Sequence, residues 1–177
     1  MRINSIIIRG VSAGILALSA TNSLAADGKV SFNGSISDTT CTIAPSFKDM
    51  TVNLGDFSKM ILDGGVGKTT TPKSFAIKLQ DCPESVIGKP LSIIFDGVSA
   101  NNDNTALKLT QDSGVATGVG IQITRVGNVV PLYTPVDAGV ISGKEYMPLF
   151  NASYVSLANT VTAGPANSTS NFTIVYN

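Results

Sequence analysis

The sequence predicts an all-β protein, an antiparallel sandwich of short strands. Three observations carry that prediction. Apolar residues alternate with polar ones at period two along most of the chain, clusters of Gly, Asn and Asp punctuate the alternation, and no stretch shows the spacing of an amphipathic helix. Short strands at such intervals argue for two packed antiparallel sheets. No composition break or internal repeat divides the chain, so a single β domain is expected.

The elements follow in chain order. Residues 1–25 have the layout of a secretory signal peptide: Arg2 and Arg9, an apolar centre from Val11 to Ala20, then Ser23-Leu24-Ala25 as a small-x-small cleavage site. The apolar centre is shorter than the ~20 residues of a spanning helix. Next, Val30, Phe32 and Ile36 alternate with Ser31, Asn33, Ser35 and Ser37. Val52 and Leu54 flank Asn53, and Phe75, Ile77 and Leu79 flank Ala76 and Lys78. "PLSIIFDG" (90–97) is a more continuous apolar run, as a central sandwich strand can be. Val119, Ile121 and Ile123 flank Gly120 and Gln122, and Phe172, Ile174 and Tyr176 close the chain in the same rhythm. Turn signals stand between the runs: "DGG" at 63, "DG" at 96, "NNDN" at 101, "VGN" at 126, "DAG" at 137 and "AGPANS" at 163.

Composition excludes several functions. Lys and Arg number 12, Asp and Glu 12, and there is no histidine. Loss of Arg2 and Arg9 with the leader leaves a small acidic excess, which gives no electrostatic reason to expect nucleic acid or an anionic membrane as partner. Without histidine, Ser-His-Asp and Cys-His catalysis are impossible, and the acids Asp38, Asp49, Asp56, Asp81, Asp96, Asp112, Asp137 and Glu145 are scattered over turns and strand ends. No enzyme activity, metal or cofactor is expected. The two cysteines, Cys41 and Cys82, cannot complete a zinc site alone. In an exported chain such a pair predicts one disulfide, worth ~4 kcal/mol in the chain-entropy model.

One motif argues the other way. "DGGVGKTTT" (63–71) resembles the glycine-rich phosphate cradle of ATPases, and "LSIIFDG" (91–97) could supply a magnesium-holding Asp96. A phosphate loop needs a strand, a glycine turn and then a helix whose free N–H groups bind the anion. Here Gly67-Lys68-Thr69 runs into Thr70, Thr71 and Pro72, and then into the alternating Phe75–Leu79 strand. Leu62 stands where the ordinary motif needs glycine, and Asp63 would repel phosphate. The prediction is a flexible Gly/Thr loop between strands, with no nucleotide as partner.

Several motifs fall in an order that resembles the type 1 fimbrial pilin family of the chaperone–usher pathway. They are "GKVSFNGSISDTTCTI" after the leader, "FAIKLQDC" (75–82), "GVGIQI" (118–123), "PLFNASY" (148–154) and the closing "AGPANSTSNFTIVYN", with Gly164 fourteenth from the C-terminus and Tyr176 penultimate. The resemblance covers residues 28–177. It implies an incomplete immunoglobulin-like antiparallel β-sandwich, completed by a donor strand from a neighbouring subunit. Under it, residues 26–37 are a donor-strand extension and 38–177 the pilin domain. Val30, Phe32 and Ile36 would fill a neighbour's pockets, with Gly34 at a shallow point on the same face. Phe172, Ile174, Tyr176 and Gly164 would belong to the acceptor groove, which a periplasmic chaperone contacts first. The implied partners are neighbouring pilins in a homopolymer, the chaperone and an outer-membrane usher. The implied location is a fimbria at the cell surface, supporting adhesion, with a major shaft subunit favoured over a minor adaptor. The alternative is a secreted monomeric immunoglobulin-like module that binds a ligand or glycan, for which four Tyr and no Trp offer little stacking surface.

Overall fold

The structure, a computed structural model, describes Gly28, residues 30–34 and residues 40–176. The chain divides into two units, Met1–Ile36 and Ser37–Asn177. In the first, Gly28 and residues 30–34 carry no regular secondary structure, and Val30 and Phe32 are 76% and 93% exposed. Ile36 and the leader expected over 1–25 lie outside the described residues.

The described part of the second unit is built of strands and two 3₁₀ turns, Pro45–Phe47 and Lys59–Ile61. A three-stranded antiparallel sheet has the order β10 (Asn171–Tyr176), β4 (Pro90–Asp96), β8 (Val136–Val140). A larger sheet runs β2 (Lys73–Ala76), β9 (Leu149–Ser156), β6 (Val119–Arg125), β5 (Leu107–Lys108), with β7 (Asn128–Val129) also on β6. β1 (Thr42–Ile43) pairs separately with β3 (Leu79–Gln80). Among the described residues no helix is long and apolar enough to cross a membrane.

The period-two pattern explains why these segments stack. On β4, Leu91, Ile93 and Phe95 point inward, and they meet Ile121 and Ile123 of β6 and Phe150 and Ala152 of β9 in one core. The "PLSIIFDG" run is indeed the central strand of its sheet. Phe95 lies edge-on to Phe150 at 5.0 Å between ring centres, and Phe75 stacks on Phe150 at 5.7 Å. This aromatic cluster joins the two sheets, each such pair adding roughly 0.5–1.5 kcal/mol beyond its buried area. Cys41 and Cys82 form the expected disulfide, fastening the start of β1 to the end of β3. The "VGN" signal is a two-residue hairpin turn between β6 and β7, with Val126 and Gly127 both at positive φ (48° and 80°), as the twist of paired strands requires.

Three expectations need correction. The Val52–Leu54 segment has the burial alternation of a strand but no ladder partner. "AGPANS" is extended chain running towards β10 rather than a tight turn. "DAG" lies inside β8 as a bulge. Leu91 pairs with Gly139 and Ser92 with Asp137, so Ala138 is the extra residue. Asp and Gly serve a bulge for the reason they serve a turn. Gly139 adopts φ 99°, and the Asp137 carboxylate accepts its N–H at 2.8 Å.

The bulge is held from both sides. The Tyr146 hydroxyl donates to Ala138 O at 2.7 Å. Arg125 donates from Nε to Asp137 O (2.6 Å) and from Nη1 to Leu149 O (3.1 Å), and its guanidinium lies 5.3 Å from the Phe150 ring centre. Arg125 thereby ties β6 and β9 of one sheet to β8 of the other.

A Cβ at Gly139 would overlap the Tyr146 hydroxyl. Gly139→Ala is therefore expected to lower unfolding stability by about 1–3 kcal/mol, read from the denaturant midpoint. Part of that loss returns in a Tyr146→Phe background, where the overlapping oxygen is gone.

Candidate functional site: a groove between two unpaired lips

The feature with most to explain is an open groove of about 1130 Å³ along one side of the sandwich. Its floor is core: Phe75, Ile77, Phe95, Leu107, Ile121 and Tyr154 all reach it. One lip is the segment 48–57. The other is residues 161–172, which lead into and begin β10.

The first lip is extended chain without a partner. Met50 and Val52 are half-buried, Leu54 is buried, and Thr51, Asn53 and Gly55 between them are exposed. Yet no backbone hydrogen bond joins residues 49–57 to the main chain of another described residue. A local bond from Gly55 N–H to Asn53 Oδ1 (2.9 Å) is the exception to its isolation. A second, smaller gap separates residues 50–53 of the lip from β2.

The second lip is satisfied on one edge. β10 pairs with β4 from Asn171↔Asp96 to Tyr176↔Leu91, and before it Thr110 N–H donates to Asn167 O and Ala116 N–H to Pro165 O. Its groove-side edge has no ladder partner among the described residues. Phe172, Ile174 and Tyr176 pack on the core but stay only partly buried.

The chain flanking the lips is tied across the groove at both ends. At one, Cys41 N–H donates to the Tyr176 hydroxyl at 3.0 Å. At the other, Val161 N–H donates to Asp63 Oδ1 at 3.0 Å. Because the first lip runs from Cys41 towards Asp63 and the second from Val161 towards Tyr176, the lips are antiparallel. Between the ties no hydrogen bond connects them among the described residues.

The Asp63 tie resolves the "DGGVGKTTT" motif. Gly64 N–H donates to Asn159 O (2.8 Å), Gly67 N–H to Ser156 O (2.9 Å), and Lys68 N–H to Ser156 Oγ (2.9 Å). Lys68 Nζ donates to Asp63 O, and Lys59 Nζ lies 3.4 Å from Asp63 Oδ2. The amides of Gly64, Gly67 and Lys68 are already used, and the lysine faces its own loop. The accepted Val161 N–H, helped by Lys59 and Lys68, holds the Asp63 carboxyl below the ordinary aspartate value.

Of the expected groove residues, Phe172 and Gly164 line the cavity, while Ile174 and Tyr176 continue along the same strand face beyond it. Gly164 is explained by close approach: a Cβ there would overlap Gly114 O and the backbone at Val115 and Ala116. Val30, Phe32 and Gly34 are exposed in the first unit, and Ile36 lies outside the described residues. Sequence reasoning missed the first lip, Phe57, Leu62 and Tyr154. The Val52/Leu54 alternation was the available signal, but it does not reveal that the strand lacks a partner.

Two outcomes test this geometry. Asp63→Ala should speed hydrogen exchange at the Val161 amide by about tenfold or more; unchanged protection would mean the tie is not made. Burial raises the Tyr176 hydroxyl above the ordinary tyrosine value against the lowering effect of the Cys41 N–H, and burial followed by Asp56 raises Tyr154. A raised tyrosine keeps its full contribution to stability below about pH 10 and loses it as pH rises through the folded-state value. Tyr154→Phe and Tyr176→Phe should each reduce the alkaline loss of stability in pH-dependent melts.

Comparisons with known proteins agree with this architecture. A family model described as fimbrial protein matches residues 30–177. Long polar fimbria protein A of Salmonella typhimurium is 31% identical over 165 residues, 91% of this chain and 92% of that protein. A probable major fimbrial subunit of Escherichia coli O157:H7 is 32% identical over 151 residues, 85% and 84% of the two chains. The solved structure of a chaperone–usher pilus, reported for the molecular basis of its rod uncoiling, superposes with a TM-score of 0.66 over 86% of this chain and 96% of that one. At 23% identity that likeness establishes the shared immunoglobulin-like fold.

Proposed function

The chain belongs to the fimbrial protein family, and on that premise we propose that it is a shaft subunit polymerising by strand donation into a neighbour's groove. A fimbrial structural subunit of the chaperone–usher kind, it is not an enzyme. The observation that carries the donation reading is the pair of lips, each with an unpaired edge over an apolar floor. A segment added there satisfies both edges with main-chain hydrogen bonds, while alternate side chains enter the core.

The segment Gly28–Ser37 has the right length and pattern. It is ten residues long, as is the lip 48–57, and ten extended residues span about 33 Å. Val30, Phe32 and Ile36 would enter the groove, each contributing ~1.5–3 kcal/mol on burial, with Gly34 between them at a shallow point. Because the lips are antiparallel, a donated strand must be parallel to one and antiparallel to the other. Antiparallel pairing is the more stable per residue, and β10 is already a formed strand. The donor therefore runs antiparallel to β10, entering by Tyr176 and leaving by Asp63 and Val161.

The same groove would first be occupied by a periplasmic chaperone's strand, with Phe172, Ile174 and Tyr176 as its contact, before exchange at an outer-membrane usher. The product is a homopolymer at the cell surface that supports adhesion. The likeness to a probable major fimbrial subunit and to a pilus rod favours the shaft over a minor adaptor.

The test compares the mature chain with a version lacking residues 26–37, each melted with and without a peptide of those twelve residues. At saturating peptide the truncated domain should gain about 4 kcal/mol, or roughly 8–16 °C in Tm. A Phe32→Ser peptide should bind about 10- to 100-fold more weakly. If truncation unfolds a stable monomer and the peptide binds neither form, the segment completes its own sandwich and strand donation is wrong.

A further inference from the structure

Resting on the strand donation proposed above, we infer that the corner Lys59–Lys68 is the seat on which a second copy of this chain rests its folded body. The donor leaves the groove at the tie between Asp63 and Val161, so its own domain begins there. Only three residues separate Ser37 from Cys41, and Cys41 is fixed in its domain by the disulfide to Cys82 and by its bond to Tyr176. Four residue steps span at most about 14 Å. The donating body cannot stand away from the groove's end; it must lie against whatever surface is there.

That surface carries exposed apolar side chains. Met60, Ile61 and Val66 are 78%, 47% and 65% exposed, three large hydrophobic side chains on one ten-residue corner. Lys59 and Leu62 of the same corner line the groove, so the corner adjoins the donor's binding site. One charge pair of the corner is satisfied internally, Lys59 with the Asp63 carboxylate, and Lys68 is turned back onto the loop by its bond to the Asp63 carbonyl. The Gly64 and Gly67 amides are fixed to Asn159 O and Ser156 O, so these side chains are presented on tethered backbone. An exposed apolar patch on firm backbone beside a strand-exchange groove fits a protein body better than a charged ligand.

The experiment uses the full mature chain carrying Met60→Ser with Val66→Ser, beside wild type and Val126→Ser, a change at the exposed hairpin tip. Two quantities are measured: binding of a labelled peptide of residues 26–37, and the rate at which assembled polymers release subunits in guanidinium. The peptide brings a donor strand without a body, so its affinity should stay within about twofold in all three proteins. Polymers of the double variant should release subunits about 10- to 100-fold faster than wild type, and those of Val126→Ser should not. Equal release rates for the double variant and wild type would overturn the inference. So would a matching loss of peptide affinity, which would place the effect in the groove. Failure of the peptide to bind wild type would remove strand donation itself, and this contact with it.

Discussion

The structure depends on a requirement of backbone chemistry: every buried N–H and C=O needs a partner. Two edges that face each other across an apolar floor do not meet it. The 49–57 segment and the free edge of β10 both lie where a sandwich would have an interior strand, and among the described residues neither has one. The Cys41–Tyr176 and Asp63–Val161 ties join the flanks of the lips, and between those ties the two edges stay unpaired among the described residues. The half-buried state of Phe172, Ile174 and Tyr176 is the side-chain expression of the same deficit. Under the strand donation proposed above, the deficit is the working part.

Long-range ties make the groove a defined shape. Cys41 and Tyr176 are 135 residues apart, and Asp63 and Val161 are 98 apart. On the far side of the three-stranded sheet, Arg125 and Tyr146 fix β8 to the other layer. One side of the sandwich is thus stapled shut and the other held open at a set width. On the strand-donation proposal, stapling keeps the open side ready for a strand, since a loosely packed pair of sheets would collapse into the gap to bury the partly buried Phe75.

Much of this was legible in the sequence, and the limits have physical causes. β4, β6 and β10 could be read directly, because each carries three inward apolar residues at period two. The disulfide followed from export and cysteine count. β9 does not read as a strand from period-two alternation, because Ser153 and Ser156 are buried on it and break the pattern. "DAG" was misassigned because positive φ at Gly139 is common to turns and bulges. The first lip illustrates the deepest limit. Val52 and Leu54 announce an extended segment, but a missing hydrogen-bond partner is a property of the whole fold. The tie between Asp63 and Val161 was invisible for the same reason, and the glycines after Asp63 drew attention to phosphate when their use is to dock a corner.

The bulge in β8 has a consequence for the shape of anything built from this chain. Its three-stranded sheet has two edges, and only β10 presents a regular, receptive one. β8 is kinked at Ala138–Gly139, and such irregularity blunts an edge against pairing with other chains. On the strand-donation proposal, a subunit that accepts in its groove and gives through one terminal segment has a valence of two. Units of valence two form threads; they neither branch nor cross-link into a net. The kink at Gly139 thus bears on the difference between a filament and a precipitate.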